Sequence, residues 1–245
     1  MDPSALVTAL IVLLLTAGQQ AKPPARPREP LLTKLLRIAG LTAAPSQMRG
    51  PADDAAAGNI WMASIDRRDA RALTTDGGYR SPVFLPNGST VLALQGSTIV
   101  RLGMSGRNAP PVPLTTGVAK LVGVDAANAS EVVVLLEAPD PSDSPLAAVS
   151  LQNGTVTALT FDASNEAHRR LLAQIRAQDR SYGDTTVYTK TETKSGLSRP
   201  IEWIDVFVKR GAAPPQNVSA CDGVNCVQPA LSRDGQHVVF VKVQD

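Results

Sequence analysis

A chain of 245 residues holds one large or two small domains, and its 43% apolar residues are enough for a core built mostly of Val, Leu and Ala, since aromatics are only 4%. The formal net charge of +2 and pI near 8.6 are too mild for a nucleic-acid-binding surface. Only two cysteines and two histidines are present, which leaves little for a metal site of nitrogen and sulfur ligands.

The chain opens on a continuous apolar run, ALVTALIVLLLTA, from residue 5 to residue 17. It is short for a membrane span, which needs ~20 residues. The small residues after it, Gly18-Gln19-Gln20-Ala21, suit cleavage, so residues 1–21 read as a secretory signal peptide. The leading Met1-Asp2-Pro3-Ser4 carries no Lys or Arg, which keeps an uncleaved anchor as the alternative. No cysteine follows the run to take a bacterial lipid anchor, and no stable span is expected after cleavage. Residues 22–57 form a linker. Its first part, Lys22–Pro30, is proline-rich, basic and extended. Leu31–Ile38 has the density of a short amphipathic helix that Gly40 ends; it either docks on the domain that follows or stays a mobile tether.

The region 58–245 is predicted to be all-β. Its first unit has four short strands: Asn59–Asp66, Ala70–Thr74, Ser81–Leu85 and Thr90–Leu94. Asp76-Gly77-Gly78 breaks the chain between the second and third, and Pro86-Asn87-Gly88 makes a hairpin turn between the third and fourth. Two such hairpins cannot bury their own faces, so the unit needs neighbours. Ala72-Leu73-Thr74 is echoed at Pro113-Leu114-Thr115, Ala158-Leu159-Thr160 and, more loosely, Asn217-Val218-Ser219. Ser81–Leu94 is echoed by Gln228–Val241 and, in the middle, by Lys120–Glu137. The third copy is degenerate, with only Thr185–Thr191 legible as a strand. A period of roughly 40–45 residues with four strands per unit is the signature of propeller blades.

One segment interrupts the repeat. Ser164 is a fitting N-cap for a helix over Ala167–Arg180, with Leu171, Leu172 and Ile175 on one side and Gly183 beyond its end. Asn153-Gly154 is a hairpin turn. The sequons at Asn87, Asn128, Asn153 and Asn217 are read as turn chemistry, because two of them sit where a hairpin wants Asn-Gly.

The residues Ile60-Trp61, Ile65-Asp66, Ala72-Leu73-Thr74, Ser81-Pro82, Phe84, Pro86-Asn87-Gly88 and Val91 together resemble the TolB-type, WD-like β-propeller repeat. The resemblance covers Gly58–Gln95 and Val227–Val243 well and the middle poorly. It implies a β-propeller and says little of function, since unrelated proteins share the fold. TolB proteins are periplasmic, with a six-bladed propeller and an extra domain; this chain has room for about four four-stranded blades. The first strands form the outer pair of a blade and the last strands an inner pair, so the two ends of the domain are expected to combine into one blade and close the ring.

Cys221 and Cys226, in CDGVNC, are expected to close a small disulfide loop in an exported protein. Free thiols and a zinc site are the rival readings; zinc would have only His168 and His237 to complete it. No nucleophile elbow, His-Glu-x-x-His motif, dinucleotide fingerprint or Walker loop is present, and no cofactor is expected. Asp140 and Asp143 lie in a proline-dominated loop without a calcium-loop pattern.

Topology points to a binding face. The long connections share one end of the blades: Thr75–Arg80, Ala138–Pro145, the inserted helix, Thr191–Pro200 and the Cys221–Cys226 loop. The candidate partner-binding residues there are Tyr79, Arg80, Asp140, Asp143, Arg169, Arg170, Arg176 and Arg180. The basic ones would suit an acidic protein partner; as a solvated charge run they would have no such role. Two functions fit: an exported, non-enzymatic binding module or envelope scaffold, and a carbohydrate- or peptide-active enzyme, or an accessory domain of one, using acids at the propeller mouth. Two carboxylates converging at a hydrolytic separation would favour the second.

Overall fold

The structure, a computed structural model, describes residues 56–66, 69–124, 128–139, 145–159, 180–196 and 200–243, with residues 164, 166 and 169. All lie in the compact unit Leu31–Asp245. The predicted signal peptide, the linker up to Ala55 and the helix Leu31–Ile38 fall outside the described residues.

The described chain is almost entirely antiparallel β-structure. In order, the strands are β1 (Gly58–Ser64), β2 (Arg71–Ala72), β3 (Tyr79–Phe84), β4 (Thr90–Gln95), β5 (Thr98–Gly103), β6 (Ala109–Pro113), β7 (Val118–Val124), β8 (Glu131–Leu136), β9 (Leu146–Ser150), β10 (Val156–Ala158), β11 (Ser181–Tyr182), β12 (Thr185–Lys194), β13 (Ile201–Arg210), β14 (Gln216–Asn217), β15 (Cys226–Leu231) and β16 (His237–Val243). One eight-stranded sheet runs β15-β16-β1-β3-β4-β5-β6, with β2 also on β1; two four-stranded sheets run β10-β9-β8-β7 and β11-β12-β13-β14. The eight-stranded sheet narrows at a single bridge, Gly58 to Tyr79. It therefore divides into a terminal group (β15, β16, β1, β2) and a second group (β3–β6), followed by a third (β7–β10) and a fourth (β11–β14).

The terminal group joins the two ends of the domain as expected. β1 pairs with β16 in unbroken register from Gly58–Val243 to Ser64–His237. Gly58 permits the approach, because a Cβ there would collide with the Lys242 carbonyl.

Three apolar clusters lie between the groups. Alternating side chains on a central strand go to opposite sides, since successive residues of a strand point to opposite faces. On β16, Val239 and Val241 pack with β4's Val91 and Ala93, while Val238 and Phe240 pack with Val187, Val206 and Val208 of the fourth group. On β4, Leu92 and Leu94 face the other way, onto Leu121, Val132, Val134 and Val149 of the third group. Each such side chain, fully buried, contributes about 1.5–3 kcal/mol. Leu146, Val133 and Ala148, on the other face of the third group, are buried too, as is Phe207 on the other face of the fourth. The outermost strand β6, APPVP, carries three prolines that deny its edge to further pairing.

Two expectations need correction. The third repeat copy is not reduced to one strand: β12 pairs with the equally long β13 from Thr185–Arg210 to Lys194–Ile201. No Asn-Gly or Asp-Gly turn joins these strands, so the usual repeat punctuation is missing. Tyr79 and Arg80 also do not lie in a loop. They begin β3, where Tyr79 opposes Gln95 and Arg80 opposes Leu94. Of the predicted inserted helix, Glu166, Arg169 and Arg180 are helical. The remainder, including His168, Leu171, Leu172 and Ile175, lies outside the described residues.

The turn chemistry is as expected. Asn87 Oδ1 accepts from the Ser89 and Thr90 amides, and Asn153 Oδ1 from the Thr155 amide. Gly88 and Gly154 have φ of 67° and 74°, the left-handed values such turns require.

Candidate binding face

In each antiparallel group, the first-to-second and third-to-fourth strand turns lie at one end and the remaining connections at the other. Hydrogen bonds hold the connections at the second end in place.

The loop between β2 and β3 is fixed at both edges. The Ile60 amide donates to Thr74 Oγ1 at 2.9 Å, and the Thr74 hydroxyl donates to Asn59 Oδ1, which also accepts from the Gly77 amide. Asp76 accepts from the Tyr79 hydroxyl and from Gln95 Nε2, both at 3.1 Å. These two bonds hold the exposed Asp76 carboxyl below its ordinary pKa. Burial, reinforced by the bond to Asp76, pushes the Tyr79 phenol up to about 12.

Arg80 spans two groups. Its guanidinium donates to the Val118 carbonyl at 2.8 Å and the Ala119 carbonyl at 3.5 Å, and lies 3.9 Å from Glu137. The β7–β8 register slips at this point, between Val118 and Lys120. Glu137 is anchored in turn by its amide, which donates to the Gly117 carbonyl.

β3 and β15 bulge at matching repeat positions, before Pro82 and Pro229. Ser81 and Gln228 there have φ of 51° and 53°, left-handed values that cost a side-chain-bearing residue energy. The two are joined: the Ser81 amide donates to Gln228 Oε1 at 2.6 Å, and Gln228 Nε2 donates to the Ala56 carbonyl.

In the fourth group, Asp205 is only 2% exposed and accepts four hydrogen bonds. Oδ1 receives the Ser219 hydroxyl and the Cys221 backbone amide, both at 2.7 Å; Oδ2 receives the Trp203 indole and Asn217 Nδ2, both at 2.9 Å. Burial alone would raise its pKa, but the four donors outweigh burial and hold it below the ordinary value. Cys221 and Cys226 form a disulfide with Cα atoms 6.3 Å apart. The bond lies in the loop from β14 to β15, with Lys194 4.0 Å from Asp222 across it.

The predicted partner-binding residues are therefore dispersed. Tyr79 is buried, with its hydroxyl turned to Asp76. Arg80 bridges the second and third groups. Arg169 donates to the Ser164 carbonyl. Arg180 is exposed and directly precedes β11, whose pairing is with Thr185 and Thr186 beside the Gly183-Asp184 turn. Asp140, Asp143, Arg170 and Arg176 lie outside the described residues. Asp205, Asn225 and Gln228 were missed in the sequence. A lone Asp inside the strand IEWIDVFVKR was the available signal for the first. Among the described residues, no three His, Cys, Asp or Glu side chains are grouped to hold a metal ion. No helix among them is long and apolar enough to cross a membrane.

No protein-family profile matches the chain, and no curated protein matches it. Among solved structures, a candidate TolB from Agrobacterium tumefaciens is similar over 76% of this chain, at 14% identity and a TM-score of 0.33. The chain spans 61% of that structure's length.

Proposed function

We propose that the four strand groups are the blades of a small β-propeller, and that the chain is an exported binding module holding a protein partner or cell-envelope ligand on its long-connection face. The observation that carries the reading is the β1–β16 pairing, which makes one four-stranded group from the two ends of the domain. The order of clusters supports it: third group on second, second on terminal, terminal on fourth. Apolar side chains occupy both faces of all four groups, as they must in blades stacked face to face around an axis. The Cys221–Cys226 disulfide supports an oxidising compartment.

Binding, rather than chemistry, fits how the described acids are used. Asp76 takes two neighbouring donors at Oδ2 and Asp205 has both oxygens occupied, and those bonds favour the ionised form of each. What this end offers a partner is a hydrogen-bonded rim carrying Glu137, Asp222, Lys194 and the backbone of exposed loops.

A photo-crosslinking residue at Thr116, on the long-connection end, tests this against one at Asn87, on the short-turn end. The protein is expressed in its native envelope. Capture from position 116 and none from 87 is expected, with Arg170→Glu/Arg176→Glu weakening capture in a salt-dependent manner. Equal capture from both positions contradicts the assignment of the face. Mature protein starting near Lys22 is expected from the export reading; an intact N-terminus contradicts cleavage.

A further inference from the structure

We propose that the Cys221–Cys226 bond is a redox latch that locks the fourth strand group onto the terminal group, so that reduction releases that seam and leaves the other seams closed. Both cysteines are part of the seam itself. Cys221 is 4% and Cys226 0% exposed, in a cluster drawn from both groups: Ala63, Leu231, Val238 and Phe240 on one side, Val187, Val206, Val208 and Val218 on the other.

The bond also maintains a backbone conformation that the loop would otherwise leave. Ala220 and Asp222 have φ of 45° and 40°, and Gly223 has 95°. The first two are side-chain-bearing residues in the left-handed region, which persists only where its surroundings enforce it. In this conformation the loop makes two links to the fourth group and one to the terminal group. The Cys221 amide donates to Asp205 of β13. Asn225 Oδ1 accepts from the Ile204 amide of β13 at 3.0 Å. The Asn225 carbonyl accepts from the Val243 amide of β16 at 2.9 Å. One six-residue loop thus holds β13 and β16 together, and the disulfide closes its ends.

A dithiol reductant balances the step. Its thiolate attacks one sulfur, its second thiol resolves the mixed disulfide, and Cys221 and Cys226 emerge as thiols while the reductant closes to a disulfide. With the covalent tie gone, Ala220 and Asp222 relax to right-handed φ. The Cys221 amide then leaves Asp205, and Asn225 releases Ile204. At the opposite end of the seam, Arg210 still donates to Asp66 at 2.8 Å and to the Gly235 carbonyl at 3.2 Å. The fourth group therefore swings open at the loop end and stays hinged at the short-turn end.

Hydrogen exchange read by mass spectrometry tests this on the full chain. The chain is compared oxidised, after dithiothreitol with alkylation confirming both thiols, and as Cys221→Ser/Cys226→Ser. Exchange in residues 203–208 and 216–229 should accelerate at least ~10-fold, while residues 79–103 and 131–150 stay within about twofold, because separate cooperative units open separately. Unchanged exchange at 203–208 in the fully alkylated protein overturns the proposal. So does equal acceleration in all four groups, which would make the bond a general fold requirement. If the serine variant does not fold, the dithiothreitol comparison on folded protein decides.

Discussion

Replacing Asp205 removes the acceptor for four donors at once. Of these, Ser219 Oγ and the Cys221 amide are buried, whereas Trp203 and Asn217 are half-exposed and can find water. Each buried donor left without a partner costs about 1–3 kcal/mol, so Asp205→Ala should lose about 2–6 kcal/mol. For a domain of this size each kcal/mol moves the thermal midpoint by ~2–4 °C, which places the expected drop near ~10 °C. Asp205→Asn should cost nearly as much, because its NH2 group must face a donor on one side or the other. The pH dependence follows from the depressed carboxyl pKa. A carboxylate with a folded pKa below its unfolded value contributes stability above the unfolded pKa of ~3.9 and loses it as pH falls through the folded value. The gap between wild type and Asp205→Asn should therefore be full at pH 7 and shrink on acidification below ~4. Thermal and urea unfolding followed by circular dichroism measure both. A midpoint drop under ~3 °C for Asp205→Ala would refute the role given to this network.

Gly58→Ala should destabilise by ~1–3 kcal/mol, because its Cβ meets the Lys242 carbonyl and β1 must move off β16; urea unfolding with an unchanged slope checks it. Tyr79→Phe should remove the phenol that ionises near pH 12 from a spectrophotometric titration of the three tyrosines. Because the folded pKa of Tyr79 is raised, its contribution to stability is intact below pH ~10 and is lost as pH rises towards 12. Wild type should thus lose more stability than Tyr79→Phe between those values.

The parts of the fold legible in the sequence were those written in local signals. Asn87-Gly88 and Asn153-Gly154 marked hairpins, because left-handed turn positions select Asn and Gly. The match between Gln228–Val241 and Ser81–Leu94 revealed that the last strands repeat the first. That the two ends combine followed from counting strands, and β1 does pair with β16. The fourth group was harder. β13 lacks the repeat's turn before it, and its partner β12 mixes Thr, Lys and Glu instead of apolar residues. The candidate face was legible as a set of long connections but not as a set of side chains. Tyr79 and Arg80 look like exposed loop residues, yet hydrogen bonds to Asp76, Val118 and Ala119 draw them inward. Those partners are up to 39 residues away in the chain, beyond any local pattern. Asp205 was missed for a similar reason: three of its four donors, from Asn217, Ser219 and Cys221, lie 12 to 16 residues further along the chain.

The most direct test of the account is whether the two ends of the domain pair in solution. Cross-strand nuclear Overhauser contacts should link Ile60 with Val241 and Met62 with Val239, in the antiparallel register of β1 and β16. Amides on both strands should be among the slowest to exchange, since central strands open only with the whole domain. Contacts from β1 to β2 and β3 alone, with β16 paired elsewhere or unprotected, would contradict closure of the terminal group and with it the propeller reading.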